Sequence, residues 1–175
     1  FAYLMIQYSR IEDKLPLEVA QNASGSVNAG EEYSIATWNL GFGAYSDDYS
    51  FFMDGGTESR ARSKEAVIKN ISGMIDRLKT LNPDFMLLQE LDTDATRSHH
   101  VNEREMAEKA FPEMSAAFAV NYHSAYLFYP FLEPHGASDA GILTLADCEI
   151  ESAIRRSLPV ETGLTKFLDL DRCYS

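Results

Sequence analysis

A near-continuous apolar run in the middle of the chain constrains its fold more than any other feature. The run covers residues 84–91 and follows Asn82-Pro83, which ends an amphipathic segment over residues 59–81. Apolar residues three and four positions apart in that segment predict a helix with one buried face. A strand that is apolar on both sides is typical of a central strand covered on both faces. Together they predict a layered α/β domain.

The other predicted elements alternate in the same way. A strand over residues 33–39 precedes the first helix, and a second helix is predicted over residues 102–110. Short strands follow over residues 115–120, 125–128, 140–145 and 149–157, with another beginning near Lys166. This order predicts the α/β class, with a mixed sheet and covering helices.

Composition excludes several classes of protein. The chain has 175 residues, 45% of them hydrophobic, which fits one globular domain. Its two cysteines, Cys148 and Cys173, are too few for a disulfide framework and lack the spacing of a metal site. With 27 acidic and 15 basic residues the formal net charge is −12, which argues against unfocused binding to a nucleic-acid backbone.

The first 30 residues predict an N-terminal segment and linker, with the domain over residues 31–175. Residues 1–6 are apolar, and residues 21–30 are rich in Asn, Ala, Ser and Gly without a hydrophobic period. Tyr3 and Tyr8 suit a membrane interface, so this start is compatible with the tail of an upstream membrane anchor on a protein facing outside the cytoplasm. An ordinary element packed on the domain of a cytoplasmic protein is the open alternative.

Two polar residues end predicted strands, where ligands gather in layered α/β folds. Asn39 ends the first strand, and Glu90 ends the apolar run. A carboxylate beside a carboxamide suits Mg²⁺, which takes few protein ligands and keeps several waters. In the structural alternative, Asn39 caps a turn and Glu90 pairs with an arginine such as Arg97. Position alone leaves both interpretations open.

Three segments carry a recognisable pattern. They are Thr-Trp-Asn-Leu at 37–40, Asn-Pro-Asp-Phe-Met-Leu-Leu-Gln-Glu at 82–90 and Ser-Asp-Ala-Gly-Ile-Leu-Thr at 138–144. In this order they resemble the endonuclease/exonuclease/phosphatase superfamily, whose fold is that of deoxyribonuclease I. The resemblance covers residues 33–175. It implies the first half of a deoxyribonuclease I-like layered α/β sandwich.

The resemblance implies metal-dependent hydrolysis of a phosphoester, with Mg²⁺ or Mn²⁺ as cofactor. Glu90 matches the family's metal-binding glutamate, and Asn39 matches its active-site asparagine, which helps to hold the metal. Arg172 matches, more loosely, an arginine near the phosphate. The substrate implied is a nucleic acid, a phospholipid or a small phosphodiester, and no protein partner is predicted.

The family's later motifs do not occur in the chain. It contains neither an Asp-x-Asn nor an Asp-His sequence. The fragment is therefore expected to be catalytically incomplete. A non-catalytic binding module on the same fold is the alternative function.

The four histidines make weaker candidates. Adjacent His99 and His100 point in different directions, which predicts a solvated pair rather than a zinc site. His123 and His135 lie in polar loops, where a surface or core role and substrate contact are both open.

Two further groups leave alternatives open. The aromatic residues of loop 44–59 either rim a substrate pocket, touch a membrane surface or pack over the first helix; they are Tyr45, Tyr49, Phe51 and Phe52. Of Arg155 and Arg156, at most one could contact a phosphate, because successive strand residues face opposite ways.

Overall fold

The computed structural model describes residues 10–159 and 173–175, and it is a mixed α/β protein. The elements in chain order are β1 (Leu15–Leu17), β2 (Val19–Ala20), β3 (Ile35–Asn39), α1 (Lys64–Leu81), β4 (Phe85–Ala95), α2 (Glu103–Ala110), β5 (Ser115–Leu127), β6 (Gly136–Ala146), β7 (Ala153–Ser157) and β8 (Cys173–Tyr174). Arg172, the apolar start of the chain and the strand predicted near Lys166 lie outside the described residues.

The first helix, α1, begins later than the periodicity predicts. Ser63 caps it, because the Ser63 Oγ accepts a hydrogen bond from the Ala66 main-chain N–H at 3.1 Å. The predicted start at residue 59 is therefore wrong. Asn82, in the left-handed conformation, ends the helix. The buried face consists of Val67, Ile71, Ile75 and Leu78.

The second helix, α2, agrees with its prediction to within one residue. Asn102 is its N-cap, and the Asn102 Oδ1 accepts a hydrogen bond from the Glu105 main-chain N–H at 2.9 Å. Both helices thus start where a short polar side chain satisfies a main-chain donor of the first turn.

The main sheet has five strands in the order β2-β5-β6-β4-β3, and β1-β7-β8 form a second, three-stranded sheet. β3 runs parallel to β4, and the other pairs of the main sheet are antiparallel. The strands predicted over residues 115–120 and 125–128 are one strand, β5, because a register shift between Val120 and Tyr122 lets pairing with β6 continue. β4 likewise continues past residue 91.

The helices cover one face of the main sheet. Met86 and Leu88 of β4 are buried in the same core as the inner face of α1. Leu87, between them, is 40% exposed, and Ile35 on the neighbouring strand is 65% exposed. Within the described residues β4 is therefore covered mainly on one face, whereas the apolar run predicted cover on both.

Residues 10–30 lie against the rest of the described chain. β1 pairs with β7 and β2 pairs with β5. Residues 21–30 form no helix or strand, yet the Gln21 Oε1 accepts hydrogen bonds from the Ser115 Oγ at 3.0 Å and the Ile150 N–H at 3.1 Å. In the described part of the chain, every helix is too short or too polar to cross a membrane.

Candidate functional site

The structure brings Asn39 and Glu90 into contact. β3 and β4 are parallel, and their pairing ends with Asn39 opposite Gln89, so the next side chain of β4 reaches Asn39. The Asn39 Nδ2 donates a hydrogen bond to the Glu90 Oε1 at 2.9 Å. Asn39 is exposed and Glu90 is half-buried, so the pair lies at a surface that a ligand can reach.

A tight turn fixes the orientation of the Asn39 side chain. The Asn39 Oδ1 accepts a hydrogen bond from the Gly41 main-chain N–H at 2.8 Å, which leaves the amide nitrogen facing Glu90. Gly41, Phe42 and Gly43 all have positive φ, at 55°, 42° and 64°. Asn39 thus caps a turn, as in the structural alternative, and the same cap positions its Nδ2 against the Glu90 carboxylate.

Glu90 has a strained backbone. Its φ is +55°, a conformation that side chains with a Cβ rarely adopt, and it lies in a register shift between Leu88 and Leu91. The shift lets the Glu90 side chain turn toward Asn39 instead of following the regular alternation of the strand. Strained residues of this kind concentrate at functional sites, where the surrounding structure holds them in place.

The charge of Glu90 acts on the phenol of Tyr45 and helps to raise its pKa. Burial raises the pKa of the Tyr45 phenol to about 12, and the carboxylates of Asp54 and Glu90 act in the same direction. The phenol therefore stays protonated at neutral pH, and it is hydrogen-bonded to Asp54. Tyr45 is 41% exposed, so it forms part of the rim of the site.

A buried ionic layer, formed by Asp92, Arg97 and Glu103, lies beneath the site. The Arg97 Nη2 is 2.7 Å from the Asp92 Oδ1, and the guanidinium carbon is 4.3 Å from the centroid of the Phe42 ring. Burial opposes the charge of Arg97, but the charge of Asp92, its hydrogen bond and the charge of Glu90 act together in the other direction, and the pKa of Arg97 is above its ordinary value. The ion-pair partner of Arg97 is therefore Asp92, and Glu90 adds only a longer-range attraction.

Glu103 connects the buried ionic layer to the turn after Asn39. Its Oε2 accepts a hydrogen bond from the Asp92 N–H at 3.1 Å, while its Oε1 has no hydrogen-bond partner among the described residues. Burial, followed by the charge of Asp92, raises the pKa of Glu103 well above its usual range. A Cβ at Gly43 would lie 3.2 Å from the Glu103 Oε1 and 2.7 Å from the Val67 Cγ1, so only glycine fits there.

His135 belongs to the core. It is 1% exposed, and its Nδ1–H donates to the Ser59 carbonyl oxygen at 2.7 Å. Burial lowers the pKa of His135 to about 4, and the charge of Arg97 acts in the same direction. The ring lies 5.8–6.1 Å, centroid to centroid, from those of Phe42, Phe51 and Phe52. A buried, neutral, packed imidazole favours the core role over substrate contact.

The aromatic residues of loop 44–59 divide between two roles. Tyr49 and Phe51 pack against the hydrophobic core. Phe52 is half-buried, with its ring 5.8 Å from that of His135, whereas Tyr45 and Met53 are 41% and 61% exposed. The loop thus both packs over the core and presents an outer aromatic edge.

The other three histidines have hydrogen-bond partners outside the Asn39–Glu90 pair. His99 Nε2–H donates to the Ala61 carbonyl oxygen at 2.7 Å. His100 is hydrogen-bonded to Asp94, and His123 to Asp139. The last two pairs are mostly solvated, as the side chains are 39–70% exposed.

Arg155 has a structural role. It is 1% exposed and donates to the Val120 carbonyl oxygen at 2.9 Å and to the Ser157 Oγ at 2.7 Å. The bond to Val120 joins β7 to β5 and the bond to Ser157 lies within β7, so the side chain is used within the fold.

Sequence reasoning included Tyr45 among the residues that could rim a pocket, but it missed the buried ionic layer. The available indication was Asp92, a charged residue that interrupts the apolar strand two positions after Glu90. A charge in such a strand requires a buried partner, and Arg97 is the next arginine in the chain.

The donor set fits a hydrated magnesium ion better than a zinc ion. In residues 10–159 and 173–175 no group of three or more His, Cys, Asp or Glu side chains is arranged to hold a metal. Glu90 lies within β4, just past the point where pairing with β3 ends, and not at a strand end as the sequence predicted. Its half-buried carboxylate still offers oxygens to a ligand, and Mg²⁺ binds through one or two carboxylates with waters completing its shell. Zinc would require three or four protein ligands.

Comparisons with models of protein families, with curated proteins and with solved structures found no match for the chain. The geometry around Asn39 and Glu90 and the sequence resemblance are the features of this chain that indicate a function.

Proposed function

We propose that the chain forms the metal-binding part of a Mg²⁺-dependent phosphoesterase with a deoxyribonuclease I-like fold, Mn²⁺ serving as a substitute metal. Glu90 carries the proposal. Its carboxylate lies at the end of the parallel pair β3–β4, in a strained backbone conformation, with one oxygen hydrogen-bonded to Asn39. A carboxylate held at this conformational cost, at a register shift inside β4, supports a functional role.

Each residue of the site has a stated role. Glu90 holds the metal, and Asn39 fixes the Glu90 carboxylate through the bond from its Nδ2. When bound, Mg²⁺ would polarise the phosphoryl oxygen and stabilise the leaving group. Tyr45 stays protonated and keeps its hydrogen bond to Asp54, which shapes the rim without adding charge. Arg172 contacts the phosphate, a role that only the resemblance supports.

The finer fold assignment is part of the proposal. In a layered sandwich, a second sheet covers the face of the first sheet that lies away from the helices. The exposed apolar side chains Ile35 and Leu87 on that face are compatible with such a cover.

The net charge of the chain favours lipid or small-molecule substrates over a polyanionic one. A formal net charge of −12 opposes unfocused binding to a polyanion. We therefore favour a lipid or small-molecule phosphodiester over a nucleic acid as substrate.

Binding of Mn²⁺, followed by electron paramagnetic resonance, tests the metal site without requiring turnover. We expect Glu90→Gln to weaken Mn²⁺ binding by at least about tenfold, and Asn39→Ala to weaken it by about 10-fold through the lost orientation of Glu90. Glu151→Gln, which removes an exposed carboxylate outside the site, is the matched control. Equal Mn²⁺ affinity in the Glu90→Gln and Glu151→Gln variants would reject the assignment.

An assay of phosphodiester hydrolysis distinguishes the proposed enzyme from the non-catalytic binding module. We expect Mg²⁺-dependent release of nitrophenolate from bis(4-nitrophenyl) phosphate only in a chain that also carries Asp-x-Asn and Asp-His motifs, and we expect Glu90→Gln to abolish it. If such a chain binds Mn²⁺ through Glu90 and shows no turnover, the non-catalytic alternative is correct.

A further inference from the structure

The hairpin between β5 and β6 ends in an apolar projection. Its tip, residues 125–132, reads Ala-Tyr-Leu-Phe-Tyr-Pro-Phe-Leu and contains no charged residue, although 24% of the chain is charged. Phe131 is 83% exposed and Leu132 is 102% exposed, while Phe128 and Tyr129 are each about half exposed. Nearly complete exposure of two large apolar side chains means that they project from the surface and do not line a groove.

Polar contacts hold the base of the hairpin tip in place. The Ser59 Oγ donates to the Glu133 carbonyl oxygen at 2.6 Å, and the Arg60 Nε donates to the Pro134 carbonyl oxygen at 2.6 Å. The His135 N–H donates to the Tyr129 carbonyl oxygen at 3.1 Å. The first two bonds attach the hairpin to the loop before α1, and the third closes the hairpin itself, so its apolar end is held in a fixed position.

The hairpin tip is continuous with the outer edge of loop 44–59. The rings of Phe52 and Tyr129 are 5.6 Å apart, centroid to centroid, and Met53, next to Phe52, is also mostly exposed. Two separate segments of the chain thus contribute to one apolar surface. Contiguous apolar surface of this kind marks an interaction site.

We propose that the hairpin tip contacts a lipid bilayer whose headgroups are zwitterionic. Phenylalanine, tyrosine and leucine side chains suit the boundary between headgroups and acyl chains, where aromatic rings concentrate. The main chain of a short hairpin keeps polar groups that need water or headgroups, which limits insertion to the side chains.

The charge distribution selects the type of bilayer. The formal net charge of −12 repels an anionic membrane surface, and residues 125–132 carry no lysine or arginine that would bind anionic headgroups. A neutral phosphatidylcholine surface imposes no such repulsion. We therefore expect binding to depend on apolar contact and to change little with salt.

Flotation with phosphatidylcholine vesicles tests the contact. We expect the full chain to float with the vesicles and Phe131→Ser/Leu132→Ser to reduce the bound fraction by at least about tenfold, because both side chains lose apolar burial. Val27→Ser/Leu81→Ser is the matched control, since it removes two apolar residues that are 55% and 52% exposed elsewhere. Equal loss of binding in both double variants would overturn the proposal.

Tryptophan fluorescence tests the same contact in a variant that keeps a large aromatic side chain at the tip. The chain has one tryptophan, Trp38, which gives an equal background in every variant. We expect vesicles to shift the emission of Phe131→Trp to shorter wavelength and to leave that of Leu81→Trp unchanged. No shift for Phe131→Trp would overturn the proposal.

Two further arms separate the bilayer from other partners. Replacing part of the phosphatidylcholine with phosphatidylserine should weaken binding at low salt, and added salt should restore it. If the wild type instead sediments as a dimer that Phe131→Ser/Leu132→Ser dissociates, and does not float, the tip is an interface between two copies and the proposal is wrong. None of these readouts uses Glu90 or turnover, so this proposal and the metal site can fail separately.

Discussion

The buried ionic layer and the hairpin tip depart from the usual distribution of residues in opposite directions. The ionic layer places Asp92, Arg97 and Glu103 inside the protein, whereas the tip places Phe131 and Leu132 in water. Inside, the ion pair and the bond from the Asp92 N–H satisfy most of the polar atoms. At the tip, the exposed side chains gain nothing from folding. The ionic layer is therefore tied to the stability of the protein, and the tip is tied to what the protein touches.

Removing one member of the ionic layer should have the largest effect on stability. Arg97→Met leaves Asp92 charged and buried without its partner, so we expect a loss of about 3–5 kcal/mol in the free energy of unfolding. Chemical denaturation measures it. In Asp92→Asn/Arg97→Met no unpaired charge remains at this pair, and the loss should be smaller than in the single variant. An Arg97→Met protein as stable as the wild type would show that the layer contributes nothing.

The next effect is a loss of stability in acid that depends on His135. Its folded pKa of about 4 lies below the ordinary 6.5, so the unfolded chain binds the proton first. This contribution is complete above pH 6.5 and is lost as the pH falls toward 4, by up to about 3 kcal/mol. His135→Asn keeps a donor for the Ser59 carbonyl and should flatten the profile of unfolding free energy against pH. A His135→Asn protein that keeps the wild-type slope between pH 6.5 and pH 4 would contradict the assignment.

Glu103 should act in the opposite direction. Its folded pKa is raised, so the unfolded chain ionises first as the pH increases. The stability that protonated Glu103 provides is therefore fully present below the unfolded pKa and declines as the pH rises above it. Glu103→Gln keeps the shape and the acceptor for the Asp92 N–H, so it should remove this decline while changing stability little in acid. A variant with the same decline as the wild type when the pH rises above the unfolded pKa would contradict the assignment.

Local patterns in the sequence predicted the elements but not their ends. Helical periodicity found α1, and the position of Ser63 as cap, which periodicity does not encode, moved its start. The apolar run found β4, but the register shift at Glu90 depends on pairing with β6, which no local pattern contains. The order of β3, α1 and β4 was predicted correctly because a short strand, a helix and a second strand form a local unit.

Local patterns in the sequence also predicted part of the candidate site. Asn39 and Glu90 were placed together because both were predicted to end strands. Asn39 does end β3, but β4 continues to Ala95, and it is the register shift at Glu90 that lets the structure join the two side chains by a hydrogen bond. Tyr45 and Arg97 approach the site through loops whose paths depend on tertiary contacts, such as the bond from the Ala61 N–H to the Arg97 carbonyl oxygen. Contacts of that kind cannot be read from spacing alone.

The smallest expected effect on stability is at the hairpin tip, and it completes the comparison with the buried ionic layer. Phe131 and Leu132 are almost wholly exposed in the folded chain, so unfolding exposes little further apolar area. Phe131→Ser/Leu132→Ser should therefore change the free energy of unfolding by no more than about 0.5 kcal/mol. Leu88→Ala, at a residue that is 1% exposed in the core, should cost about 2–5 kcal/mol in the same denaturation experiment. A tip variant that loses more than about 1 kcal/mol would mean that the tip is packed against the body in solution. It would then contribute to stability as the ionic layer does, and the contrast between the two regions would disappear.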